Sequence, residues 1–288
     1  MKKSLRRKLI MSAVAVGVAA VGTTASTYAW FVTNSDVSMN EVTGDVAAAN
    51  ANLSISATAD GKYGVSATPT LTGSALKPVT VSGGKFVNEN NQEISGGYYT
   101  FSLSFKVTGL ETNKKYPLSI KSVRAVDKDK ESKKYVAIVD SNSSKASIKV
   151  GDELTEDVTK SLMLSYKASS TAMTGTDVSA SNTFHLNNSD ATYDAKQYYI
   201  DVKKSSNSSY DGSDLPAGPT VTNAFDVDGN QVESGNFVIT EITSADAVTV
   251  QFLVWLNGAD EACFDAIAAH AWTLSMNFEL GEGTAIAA

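Results

Sequence analysis

Apolar residues recur at every second position through most of this chain, and only rarely at the three-and-four spacing of a helix. The clearest case is GGYYTFSLSFKVTGL, where Tyr99, Phe101, Leu103, Phe105 and Val107 fall on one face, the mark of a half-buried strand. KYPLSIKSVRAV continues with Leu118, Ile120 and Val123; the slip from even to odd spacing predicts a β-bulge near Ser122. ANLSISATADGKYGVSAT reads as strand, Asp60-Gly61 turn and strand, with Leu53, Ile55 and Ala57 in alternation. LKPVTVSGGKFV alternates at Val79 and Val81 and then turns at Gly83-Gly84. YVAIVD and ASIKV are two further strands around a Ser/Asn loop, KQYYIDVKK is another, and NAFDVDGNQVESGNFVIT reads as a hairpin about Asp228-Gly229. AVTVQFLVWL is nearly continuous in apolar residues and suits a buried sheet position. AWTLSMNFEL alternates Trp272, Leu274, Met276 and Phe278.

Two segments carry helical signals. In TEDVTKSLMLSYKAS, Leu154, Val158 and Leu162 have helical spacing while Leu162, Leu164 and Tyr166 alternate, which predicts a short helix followed by a strand. ADEACFDAIAAHA has helical composition, with Asn257 as N-cap and Asp260 and Glu261 in the first turn. Ser169 to Ser181 reads as a surface loop, and SSNSSYDGSDLPAGP is the longest polar connection. Roughly ten short strands with one or two short inserted helices predict an all-β fold, a β-sandwich or jelly roll. No fixed-period repeat points to a solenoid or propeller. The domain plan is a signal over 1–29, an extended arm over 30–50 and a β-sandwich domain over 51–288.

The N-terminus has a pattern of its own. MKKSLRRK carries five basic residues and no acid, and Leu9 to Gly22 runs uncharged for about 14 residues, short of the roughly 20 that span a bilayer. Thr27 and Ala29 then stand at −3 and −1 of a cut between Ala29 and Trp30. Basic, apolar and small-x-small regions in this order are a secretory signal, here a signal helix, removed on export. The competing reading is an uncleaved anchor, because Tyr28 to Val32 can extend the apolar run.

Cleavage would take away five positive charges and no negative ones, so the formal charge would fall from −7 to −12. Such a surface repels phosphate backbones and anionic lipid, which argues against nucleic acid as a partner and against electrostatic membrane docking. Any membrane contact would then run through an uncleaved signal. With Cys263 as the one cysteine, no intramolecular disulfide can form.

Candidate chemistry is sparse. His185 and His270 lie outside any HExxH pattern, and no GxSxG elbow, P-loop or GxGxxG after a strand occurs. Cys263 and His270 are seven apart, on one face of the expected helix, but two ligands do not make a metal site. Asp226, Asp228 and Asn230 alternate as calcium ligands do, yet the twelve-residue pattern with its closing Glu fails, and Asp-Gly between apolar runs is the commoner hairpin signal. DKDKE at 127–131 reads as a solvated turn of mixed charge. Tyr98, Tyr99, Phe101 and Phe105 are a carbohydrate platform or, more simply, core; Tyr193, Tyr198 and Tyr199 near polar loops are the better ligand candidates. No cofactor is expected, and no nucleophile with a base can be named, so the chain does not read as an enzyme.

The residues around the cut resemble a family. STYAWFVTNSDVS, with Gly22-Thr23-Thr24 upstream and Ala29-Trp30-Phe31 at the junction, is similar to the leaders of the TasA/camelysin group of secreted Gram-positive matrix proteins, which a SipW-like signal peptidase processes. The spacing here is slightly longer than the commonest one. TVQFLVWLNGADEACFDAIAAHAWTLSMNFEL looks like the closing module of large surface proteins with such leaders, and this stretch with the whole leader from Met1 covers about a quarter of the chain. The resemblance implies a jelly-roll subunit of an extracellular or cell-surface fibre, with biofilm matrix as its setting. It also implies assembly in which the mature arm of one subunit adds as a strand to the next, with Val37, Met39, Val42 and Val46 entering the neighbour's groove. Partners would be further copies of the chain, other matrix proteins and the signal peptidase. The arm can equally be disordered or pair within its own sheet. Metalloprotease activity, assigned to some camelysin relatives, is not carried over with two histidines. The competing function is a surface adhesin or carbohydrate-binding module held by an uncleaved N-terminus; a hydrolase has least support.

Overall fold

The computed structural model describes residues 37–46, 51–59, 61–73, 75–232 and 235–286. The signal segment and its cut at Ala29 and Trp30 lie outside the described residues. In chain order the strands are β1 (Val37–Val46), β2 (Asn52–Ser56), β3 (Ser66–Ala67), β4 (Thr72–Gly73), β5 (Pro78–Ser82), β6 (Lys85–Val87), β7 (Tyr98–Thr108) and β8 (Lys114–Asp127). There follow the two-residue strands β9 (Tyr135–Val136), β10 (Ser141–Asn142), β11 (Ser147–Ile148) and β12 (Glu153–Leu154), then β13 (Leu162–Ala168) and β14 (Thr183–His185). After helix α1 (Ala195–Lys204) come β15 (Val238–Ile242), β16 (Val248–Asn257), β17 (Trp272–Leu280) and β18 (Thr284–Ala285). The chain is an all-β fold with one α-helix among the described residues.

Two mixed sheets account for most of the strands. One runs β15-β8-β17-β1-β3, with β18 paired to β8; the other runs β14-β13-β16-β5-β6, with β7 joining β16 to β2 and β4. Their inner faces meet through aromatic rings. Phe105 on β7 stands 4.8 Å from Phe278 on β17, edge to face, and Phe252 on β16 lies 6.0 Å from the same ring. Such pairs add to the area that each ring buries. The alternation read in GGYYTFSLSFKVTGL is real, since Phe101, Leu103, Phe105 and Val107 are all buried. So is the bulge: Asn277 pairs with Ser122 and Phe278 with Ile120, leaving Lys121 as the extra residue of β8. Gly83 and Gly84 take φ of +58° and +74°, which closes the β5–β6 hairpin with the twist its strands need.

Two elements differ from the sequence reading. KQYYIDVKK is α1, not a strand. Asp194 caps it by accepting from Gln197 N, and Ala195, Tyr198 and Tyr199 are buried, with Val202 packed against the core one turn on. That is helical spacing, masked in the sequence by the strand preference of Tyr-Tyr-Ile. Conversely ADEACFDAIAAHA forms turns with a single 3-10 segment at Asp265–Ile267. Asp260 Oδ1 accepts from Ala262 N at 2.8 Å and Asn257 Oδ1 from Ala259 N at 3.2 Å, so the short polar side chains divert the backbone from the helix ladder. Ala262, Cys263, Phe264, Ala266 and Ile267 are all buried, more than the single face of an amphipathic helix would hide. The TEDVTKSLMLSYKAS segment resolves as expected, with a 3-10 turn at Val158–Ser161 before β13.

Because Phe278 ties the two layers together, Phe278→Ala is expected to cost about 3–5 kcal/mol. Urea unfolding followed by tryptophan fluorescence measures it.

Candidate assembly strand and the buried polar cluster

β1 runs parallel to β17, and its register explains an odd feature of its sequence. Positions 37, 39, 42, 44 and 46 stand opposite 272, 274, 276, 278 and 280. On β17, Trp272, Leu274, Met276, Phe278 and Leu280 are all buried, so β1 positions 39, 42 and 44 lie on the core face. The change from odd to even numbering falls at Asn40 and Glu41, two residues facing the single Ser275, which is a β-bulge. Of the four positions singled out from the sequence, Met39 and Val42 therefore share a face despite their uneven spacing, while Val37 and Val46 pair in the register with Trp272 and Leu280. Val42 is fully buried and Met39 packs against the core. Of the outcomes left open for this arm, the single chain adopts pairing within its own sheet.

On its other edge β1 is scarcely held. β3 pairs with it only at Val42–Ala67 and Thr43–Ser66, with Gly44 N donating to Val65 O at 3.3 Å nearby. The outer face carries a polar ladder. Thr43 bonds Asn277, whose Nδ2 donates to Ser122 Oγ at 2.9 Å, and Lys121 reaches Asp45 at 2.8 Å. Lys121 and Asp45 are exposed, and exposed pairs of this kind contribute well under 1 kcal/mol. The energy of the site is in its core face, where burying one valine is worth roughly 1.5–3 kcal/mol.

A second concentration of polar groups lies around the start of β17. Asp127, read as part of a solvated turn, is instead a buried anchor. Its Oδ1 accepts from Asp129 N at 2.8 Å and Lys130 N at 3.0 Å; its Oδ2 accepts from Val158 N at 2.9 Å and from His270 Nδ1 at 2.8 Å. An imidazole oriented by a carboxylate is half of a catalytic triad. Here His270 is fully buried, and its Nε2 meets no hydroxyl or thiol within hydrogen-bond reach among the described residues. Cys263 does not supply the nucleophile: burial, with Asp260 and Asp265 adding to it, pushes the thiol well up, so it stays protonated. The Glu156–Lys160 pair, at 2.8 Å, is likewise buried and saturated. Thr192 N and Asp157 N donate to Glu156, and Lys160 donates to Asp190 O. It pins the 189–193 loop to the turn before β13, with no group left over for chemistry.

The remaining sequence candidates turn out structural. Asp226 accepts from Asp228 N at 2.9 Å and from Asn230 N at 2.8 Å, while Asn230 Nδ2 donates to its other oxygen. The Asn230 backbone N–H, foremost among these bonds, holds its carboxyl below the usual range. These oxygens stabilise a hairpin turn, and among the described residues no group of three or more His, Cys, Asp or Glu converges as metal ligands do. Tyr198 and Tyr199 are buried, so they form no surface platform. Tyr198 packs with Tyr135 and Phe264, and Tyr199 with Tyr210; Tyr193 sits edge-on to Phe264 at 5.5 Å. Phe101 and Phe105 are core. Gly44, Lys121 and Asn277 were not singled out from the sequence, and Asp127 was read only as part of a turn; a glycine inside a strand pattern was the one readable signal among the first three. Compared with protein-family models, characterised proteins and solved structures, the chain matches none.

Asp265 supplies a pH-dependent test. Burial pushes its carboxyl up from 3.8 to about 6, although a hydrogen bond from Tyr135 opposes the shift. Between those values the unfolded chain has released the proton and the folded chain still holds it, so stability falls as pH rises through this window. The loss is on the order of 3 kcal/mol, complete above pH about 7. Asp265→Asn keeps an acceptor for Tyr135 without the charge. It is expected to raise stability at pH 7.5 and to change little at pH 4, as measured by urea midpoints at the two pH values.

Proposed function

We propose that this chain is an exported structural subunit of an extracellular or cell-surface fibre, of the kind that the TasA/camelysin resemblance implies, with its two mixed sheets arranged as a jelly roll. It acts in the biofilm matrix of a Gram-positive bacterium, and its main partner is a further copy of itself. Signal peptidase cuts after Ala29 and frees the segment that contains β1. In the assembled form β1 of one subunit fills the place beside β17 of the next.

One observation carries this reading: β1 is paired over eight positions to β17 but over two to β3. A strand held along one edge, joined to the fold through the short stretch 47–50, can be replaced by an identical strand at little net cost. The hydrogen bonds and core packing given up inside the chain are re-formed between chains. The parallel pairing fits too, because it needs no hairpin between the two strands and accepts a partner from outside equally well.

The anchored-adhesin reading parts from this one at the N-terminus, so sequencing the secreted form decides between them: assembly requires Trp30 as the first residue. Electron microscopy of residues 30–288 beside a chain lacking 30–48 tests the assembly step. Filaments from the first and none from the second are expected. Absence of filaments from both would reject the proposal.

A further inference from the structure

We propose that the place beside β17 is a sequence-selective strand site whose ligand class is an extended peptide with glycine opposite Phe278, and that the glycine restricts it to β1 of another copy. The inference rests on the strand-exchange reading above and adds which residue decides what enters.

Gly44 is the position that faces Phe278. A Cβ placed there would lie 2.9 Å from Leu53 Cδ2 and 3.0 Å from Ile55 Cδ1, closer than side-chain carbons approach without displacement. The backbone does not call for glycine, since Gly44 is not among the residues with positive φ. The requirement is for space alone. The two carbons are the far ends of the Leu53 and Ile55 side chains, so a Cβ alone is met by turning them aside; the further carbons of a branched side chain need more room than these two buried residues leave. They come from the opposite sheet, so at position 44 the incoming strand is read by the layer beneath it and not by the strand beside it.

Other features of β1 discriminate less. The Asn40-Glu41 bulge sets the register, so a ligand must place Val42 and Gly44 two residues apart after it. On the outer face Asp45 stands opposite Glu279, an unfavourable pairing of like charges that Lys121 offsets by bonding Asp45 at 2.8 Å. All of this is solvated and changes affinity by a small factor, whereas forcing extra carbon atoms into a filled core is costly.

The test uses the full mature chain cut once at a protease site placed in 47–50, with both pieces retained. Fluorescent peptides spanning 36–48 are offered in excess, and exchange is followed by anisotropy. The wild-type peptide is expected to enter, Gly44→Val to be weaker by roughly tenfold to a hundredfold, and Asp45→Asn to stay within about threefold. In a chain carrying Leu53→Ala, the Gly44→Val peptide is expected to regain most of its binding. Equal entry of wild-type and Gly44→Val peptides would overturn the glycine rule and leave strand exchange standing. Failure of every peptide, wild type included, would overturn both.

Discussion

A strand whose side chains fill the centre of a core needs partners along both of its edges, because backbone groups buried without hydrogen bonds cost more than most side-chain contacts return. β17 is that strand. Its alternate residues from Trp272 to Leu280 are all buried, β8 covers one edge in antiparallel register, and β1 covers the other in parallel. Much of the rest is arranged around keeping it in place. Phe278 meets Phe105 and Phe252 across the layers, and Asp127, the partner of Trp272, is fixed by four hydrogen bonds where the strand begins.

The two covers of β17 are unequal. β8 is itself held by β15 and β18 and cannot leave without dismantling the sheet. β1 is held on its far edge by two residue pairs and stands first among the described elements. A strand so placed separates the energy of the fold from the identity of the chain that supplies it: β17 must be paired, but the geometry is the same whichever copy provides β1. Under the proposed function that distinction is the whole mechanism, and no catalytic group is needed. The layer beneath adds selectivity under that proposal, since a branched side chain at position 44 would press on Leu53 and Ile55.

The strands were largely legible because their signal is local: alternation in β7, β8 and β17, the Gly83-Gly84 turn, and even the bulge at Lys121, which breaks the alternation visibly. Two elements were not. α1 hides its helical face behind Tyr-Tyr-Ile, whose strand preference yields to packing around Phe264. The 259–271 segment looks helical in composition, but its short polar side chains bond the backbone and five of its apolar residues are buried, from Ala262 to Ile267, which composition does not encode. Of the arm residues singled out, Met39 and Val42 face the chain's own core, but the geometry of the strand was not legible. That Gly44 meets β2, or that Asp127 meets His270 across 143 residues, depends on contacts between distant segments that no local pattern specifies.

The central claim is that β1 and β17 pair in one geometry whether they belong to one chain or two. Thr43 and Asn277 are direct partners across that pair, at the spacing of adjacent strands, which a disulfide can bridge. The measurement is oxidation of a Thr43→Cys, Asn277→Cys chain over a range of concentrations, read on a non-reducing gel; Cys263 can stay, since burial keeps its thiol protonated. The account predicts internally bridged monomer in dilute samples and a ladder of covalently linked multimers as concentration rises. Bridged monomer alone at every concentration would contradict it.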